Sequence, residues 1–284
     1  LPAALGAGVV QVNLVIDTVI ASLLPSGSIS YLFYADRITQ LPLGVVGVAV
    51  GTALLPMLSR QVRSGNQDAA HHAQNRAIEF SLLLTLPAAV ALFVIAEPVV
   101  TVLFQRGAFG MVEAAKTMSA LAIYALGLPA YVLVKSLAPA FFAREDTKTP
   151  VIIAVVAMMV NLVLNLILMG PFLHVGIAMA TVASAWLNTA LLAIVLYKRG
   201  QLRMDARLAG RLPRTLLASF IMGAALYGGY GFLADRFAGS EPERIFALAI
   251  LITGGLAVFA GSALALGAVK ISDLKSLKRS ESSA

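Results

Sequence analysis

Apolar residues run through this 284-residue sequence in long blocks divided by short polar punctuation. A helix needs about 20 consecutive apolar residues to cross a bilayer core, and the blocks reach that length repeatedly. Eight spans are expected: residues 3–24, 28–58, 74–96, 112–142, 149–170, 175–197, 208–233 and 244–269. Pro25-Ser26-Gly27 closes the first, and Pro42 is expected to interrupt the long second one. Glu97-Pro98 opens a short apolar piece ending at Gln105-Arg106-Gly107, expected to be re-entrant or interfacial. Thr149 is placed as N-cap of the fifth span with Pro150 at its first helical position, and Gly170-Pro171 ends that span. The charged segment 270–284 is expected to form a fraying cytoplasmic tail.

Composition fixes the class. Hydrophobic residues make up 59% of the chain and charged residues 12%, where soluble domains carry about 25% charged residues. Mean hydropathy is +0.88. An all-α polytopic membrane protein follows. With no cysteine there is no disulfide and no thiolate metal site. The net charge of +7 sits in loops rather than on a nucleic-acid face. Arg60, Arg63 and Arg76 follow the second span, Arg144 and Lys148 the fourth, and Lys198, Arg199, Arg203, Arg207, Arg211 and Arg214 the sixth. The alternate connections are poorer in Lys and Arg. The positive-inside rule then places both ends in the cytoplasm. The chain opens on Leu1 with no charged segment before the first span, as expected of part of a longer protein cut before a helix.

Polar groups inside the spans are the candidate chemistry. Arg37 lies about nine residues into the second span, roughly 13 Å deep. A charge there costs on the order of 3 kcal/mol, so it needs a partner. Either Asp36 and Arg37 lock two helices, or Arg37 is a cationic site for an anionic substrate. Lys135 either snorkels to the interface or adds charge to the same cavity. Gln11 and Gln40 line a cavity or bond to neighbours, and Glu79 is placed at the interface. Gly47-x-x-x-Gly51 permits close helix approach. Asn13 and Asp17 share one helix face, as do Asn161 and Asn165, and Thr181 stands one turn from Ile177. These groups fall at matching depths. Their hard oxygens suit Na⁺, and they equally suit interhelical hydrogen bonding. His71, His72 and His174 are expected to be solvated. No His-Glu-x-x-His, Walker A or G-x-S-x-G pattern occurs, which argues against an enzyme.

Several motifs together resemble one family. They are Gln11-x-Asn13-Leu14-x-Ile16-Asp17-Thr18, Tyr34-Ala35-Asp36-Arg37, Leu41-Pro42-x-Gly44-Val45-x-Gly47, Leu103-Phe104-x-Arg106-Gly107-x-Phe109, Lys135-x-Leu137-Ala138-Pro139 and Asp146-Thr147-Lys148-Thr149-Pro150. This set is similar to the MurJ (MviN) lipid II flippases of the multidrug/oligosaccharidyl-lipid/polysaccharide (MOP) exporter superfamily. The resemblance implies the second half of such a protein. Residues 1–200 would form the C-terminal six-helix lobe, and 201–269 two extra helices whose apolar groove suits a lipid tail. It further implies alternating-access transport of the undecaprenyl-pyrophosphate-linked peptidoglycan precursor across the bacterial cytoplasmic membrane. The substrate set is Arg37 on the pyrophosphate, with Asp36, Lys135 and Gln40, and a missing N-terminal lobe would supply further arginines. It also implies a Na⁺ site at Asp17, Asn161, Asn165, the Ile177 carbonyl and Thr181, with no other cofactor. Some relatives carry Asp where this chain has Asn165, and others lack Asp17. The rival readings are another flippase or a cation-coupled drug antiporter of the same superfamily, an intramembrane lipid-modifying enzyme, or a membrane scaffold.

Overall fold

The computed structural model describes residues 2–269, and their regular structure is entirely helical. The helices are α1 (Pro2–Ser22), α2 (Ser28–Arg63), α3 (Gln67–Val94), α4 (Ala96–Phe104), α5 (Met111–Phe142), α6 (Lys148–Lys198), α7 (Ala206–Phe232), α8 (Ala234–Phe237) and α9 (Glu241–Ala265). Among the described residues, α3, α5, α6, α7 and α9 are each long and apolar enough to cross a membrane. The chain is an all-α, multi-pass membrane protein. The expected tail, 270–284, lies outside the described residues.

α6 covers two of the expected spans in one run of 51 residues. Straight, it would extend about 77 Å, more than twice a hydrocarbon core of about 30 Å. It does not run straight. Leu173 takes φ 51°, ψ −132°, two residues beyond Pro171. Pro171 removes the amide that would bond one turn back, and the chain folds on itself there. The two arms then approach closely: a Cβ on Gly176 would stand 2.3 Å from the Leu168 carbonyl oxygen. Only glycine fits that contact.

Pro42 behaves differently. α2 continues unbroken through Pro42 and Pro56, so the expected interruption is absent. Each proline removes one donor, but α2 packs on α5 and α3, and packing neighbours sustain proline-bearing membrane helices. The short piece after α3 is a separate helix. Ile95 (φ −109°, ψ 29°) breaks the path, and α4 packs on α5 and α9.

The starts of α3, α6 and α7 have side-chain partners. Asn66 Oδ1 accepts from the Ala69 N–H at 3.0 Å, and Asp205 Oδ1 from the Leu208 N–H at 2.7 Å. At α6 the capping group is Asp146 rather than the expected Thr149. Its carboxylate accepts from the Thr149 N–H (3.0 Å) and hydroxyl (2.7 Å), and Arg199 pairs with it at 2.5 Å. Partial burial works to raise the Asp146 carboxyl, but the Arg199 guanidinium and the Thr149 donors outweigh it and hold it at about 2.

α5 is the central helix and contacts α2, α3, α4 and α6. Ala114, Ala120, Ala125, Gly127, Ala130 and Ala140 lie buried along it, and such small residues let helices approach in a membrane. Two apolar clusters stack along the bundle. One holds Ile38, Val100, Leu121, Ile177 and Leu226, and the other Leu58, Val132, Phe141, Leu192 and Leu208.

α7 is fastened to α3 by ions. Glu79 accepts from Arg211 at 2.5 Å and pairs with Arg207 and Arg76, while Arg76 also reaches Asp205. Asn75 Nδ2 donates to the Arg203 carbonyl at 2.7 Å. Glu79 is therefore the centre of a half-buried ion network. His174 also departs from expectation. It is buried, with Nε2 3.0 Å from the Lys116 carbonyl and its ring edge-on to Tyr31. The fold at Leu173 brings it inward. His71 is partly buried, while His72 is exposed.

Candidate functional site

α1, α2, α5 and the second arm of α6 enclose a cavity of about 530 Å³. Its polar lining includes Asn13, Asp17, Asp36, Gln40, Tyr124, Tyr131, Lys135 and Thr181, set among Leu14, Leu32, Phe33, Leu43 and Ile177. Of the sequence-expected substrate residues, Asp36, Gln40 and Lys135 share this wall.

Arg37 stands beside the cavity and does not line it. Its side chain is exposed on α2, with Nη1 donating to Gln40 Oε1 at 3.1 Å and the guanidinium 4.8 Å from the Phe33 ring centroid. Gln40 in turn donates to Asp36. The i, i+3 and i, i+4 spacing on one helix makes this relay possible. Asp36 and Arg37 thus meet through Gln40 on a single helix, and do not lock two helices together.

Lys135 comes from α5 and passes over Gly47 of α2. A Cβ on Gly47 would stand 2.6 Å from Lys135 Nζ. Gly47 therefore gives room to the lysine stem, and Lys135 lines the cavity. Tyr131 lies over Gly127 in the same way. Tyr124 and Tyr131 were not distinguished by sequence, since buried aromatics usually serve packing. Their one signal is the spacing of Tyr124, Tyr131 and Lys135, seven and four residues apart, which puts them on one face of α5.

At one end of the cavity the polar groups of α1 and α6 converge. Asn165 Nδ2 donates to Asp17 Oδ1 at 2.6 Å and to Asn161 Oδ1 at 3.0 Å. Asn13 Nδ2 and Thr181 Oγ1 each lie 3.3 Å from Asp17 Oδ2, and Thr181 Oγ1 donates to the Ile177 carbonyl at 3.0 Å. Turned over, the Asn161 amide would donate to Asp17 Oδ1 at 2.9 Å and Asn13 Oδ1 at 3.1 Å. Asn161 and Asn165 are fully buried, and Asn165 Oδ1 has no hydrogen-bond partner. Buried carbonyl oxygens rarely stay unpaired. Among the described residues no three His, Cys, Asp or Glu side chains converge. The donor set is one carboxylate with amide, hydroxyl and backbone oxygens, which fits a hard monovalent cation better than a transition metal.

The aromatic motif residues have a structural task. Tyr34 of α2 packs on Phe104 (4.7 Å between ring centroids) and Phe109 (5.4 Å). That contact pins the connection after α4 to the helix carrying Asp36 and Arg37.

Comparison with known proteins agrees with this architecture. A sequence model described as lipid II flippase MurJ matches residues 1–247. A probable lipid II flippase MurJ of Rhizobium meliloti (strain 1021) is 46% identical over 99% of this chain and 53% of its own length. Another from Vibrio cholerae is 37% identical over 97% of this chain and 52% of its own length. A solved lipid II flippase MurJ in an inward closed conformation superposes with TM-score 0.73 and 27% identity, covering 90% of this chain and 50% of that one. An outward-facing multidrug resistance MATE transporter of the MOP superfamily superposes with TM-score 0.63 and 17% identity, over 92% and 61%, which shows the shared fold alone. The chain spans about half the length of the curated relatives it matches. The match over most of its residues and the shared MOP exporter fold place this chain in the lipid II flippase MurJ family.

Proposed function

We propose that this chain forms one wall of a translocation pathway that carries lipid II from the inner to the outer leaflet of the bacterial cytoplasmic membrane by alternating access. The carrying observation is the Arg37–Gln40–Asp36 relay at the rim of a cavity that also contains Lys135. A guanidinium deep in a membrane helix needs an anionic or aqueous partner. Among the described residues Arg37 makes one side-chain hydrogen bond, to Gln40, and lies over Phe33 and near Asp36, so most of its fork is available for a pyrophosphate, whose geometry it matches. Lys135 adds a point charge, and the apolar lining excludes water and so strengthens both. The remaining length of the relatives would supply the facing wall and further cations. Residues 1–200 act in this reading as the six-helix lobe, and 201–269 as the extra pair. Eight passes result when α6 counts as two, with both ends cytoplasmic.

Na⁺ fits the Asp17 cluster. Asn161 Oδ1 already faces the carboxylate of Asp17, and turning the orphaned Asn165 Oδ1 inward would complete a set with Asp17, Thr181 and the Ile177 carbonyl. The ion would neutralise the Asp17 carboxylate and tie α1 to both arms of α6.

Lipid II binding to the intact purified protein tests the reading. Arg37→Ala should weaken it at least about tenfold, the worth of one charge-assisted hydrogen bond. Unchanged affinity in a folded variant would contradict it.

A further inference from the structure

A second cavity, about 570 Å³, opens at the end of the bundle remote from the Glu79 network. α4, α5 and the α7–α9 connection enclose it, and a smaller pocket between α4 and α9 shares Thr101, Gln105 and Arg244 with it. Its polar groups are under-used. Arg244 lines the larger cavity and spends its Nε on the Gly239 carbonyl (3.0 Å), while Arg106 lines the smaller pocket with Glu241 and spends one Nη on the Leu103 carbonyl (2.6 Å). Glu97 also lines the larger cavity, beside the Tyr230 hydroxyl. Arg244 and Glu97 therefore bring both signs of charge to one space, together with the Thr101 hydroxyl and the Gln105 amide.

The surroundings are those of a membrane surface. α4 is nine residues long, about 13 Å, too short to span. Met111 (76% exposed), Ile245 and Phe246 (both 58%) present apolar surface next to the opening. Polar groups of both signs at the mouth of an apolar surface match a lipid headgroup better than a soluble anion.

We propose that this cavity binds a zwitterionic phospholipid carrying a primary amine, of the phosphatidylethanolamine class. Arg244, Thr101 and Gln105 hold the phosphate. Glu97 and Tyr230 accept hydrogen bonds from the ammonium, and the acyl chains follow Met111, Ile245 and Phe246. A primary ammonium has three donors, whereas a quaternary ammonium has none. The site should therefore prefer ethanolamine over choline headgroups. An anionic glycerol headgroup would meet Glu97 unfavourably. The lipid would wedge α4 against α9, and so join the six-helix part to the extra pair at the end opposite the Glu79 network.

Native mass spectrometry of the intact detergent-purified protein, offered equal amounts of phosphatidylethanolamine, phosphatidylcholine and phosphatidylglycerol, tests this. The ethanolamine lipid should survive collision energies that strip the other two. Glu97→Gln should lower it about tenfold, to the level of the choline lipid. Arg244→Gln should lower all three. Equal retention of ethanolamine and choline lipids, or preference for phosphatidylglycerol, would overturn the proposal. So would an ethanolamine adduct unaffected by Glu97→Gln in a protein of unchanged unfolding midpoint. Should Arg244→Gln fail to fold, Glu97→Gln, an exposed position, decides alone.

Discussion

At the scale of single residues, the informative side chains are polar groups in apolar surroundings. Asp17 has the only formal charge in its cluster. A cation that binds only the native state stabilises it by mass action. Sodium chloride should therefore raise the thermal midpoint of the intact protein above its value in equal choline chloride, and Asp17→Asn should remove most of that shift. Identical midpoints in both salts would leave Asp17 as a hydrogen-bonding residue. Gly176→Ala should cost about 1–3 kcal/mol, because the new methyl meets a carbonyl oxygen and not a movable side chain. Its unfolding midpoint against wild type measures this. Much of the site was legible at this scale. Asn13/Asp17 and Asn161/Asn165 are pairs of polar residues at helical spacing inside apolar runs, and matched depth was enough to bring them together. Arg37 was legible as a charge inside an apolar span, but its exposure on α2 and its partner were not. Gln40 lies on the same helix face, and a relay through an uncharged amide leaves no mark in a charge pattern. Tyr124 and Tyr131 stayed hidden because their spacing is also that of ordinary packing.

At the scale of helices, the apolar blocks gave their existence and nearly all their lengths, while the caps and breaks required three-dimensional context. Pro42 and Pro171 are the same residue with opposite outcomes. α5 and α3 support α2 around Pro42. Pro171 has Leu173 and Gly176 beyond it, where the arms must reverse. The Asp146 cap yields a pH prediction. Its carboxyl is held below the ordinary value of 3.8, so its stabilisation is complete above that pH and is lost as pH falls through about 2. The stability gap between wild type and Asp146→Asn should be constant from neutral pH to about 5, then narrow in more acidic solution. A gap that widened on acidification would contradict the Arg199–Asp146–Thr149 arrangement. The Glu79 network was not legible in the sequence, because two of its partners, Arg207 and Arg211, lie 128 and 132 residues away. Glu79→Gln removes the carboxylate shared by Arg76, Arg207 and Arg211 and should cost on the order of 3 kcal/mol, read as a lower unfolding midpoint.

At the scale of the whole molecule, two fastenings bracket the cavity proposed for the substrate. Glu79 and Asn75 tie α7 to α3 at one end of the bundle, and α4 meets α9 at the other. The cavity with Asp36, Gln40 and Lys135 opens between them, with Arg37 at its rim. Loop charge sets the orientation in this account. Cysteines placed at 60–74 or 200–212 should label only from the cytoplasm, and those at 26 or 238–239 only from outside. Reversed labelling of any loop would refute the map. The central claim, that Arg37 serves the transported pyrophosphate rather than the fold, is tested most directly in cells depleted of their own lipid II flippase. The intact protein should restore growth. Arg37→Ala, present in the membrane at wild-type level, should fail to do so, and Arg37→Lys should restore it poorly because a point charge lacks the bidentate fork. Full rescue by Arg37→Ala at normal abundance would contradict the claim.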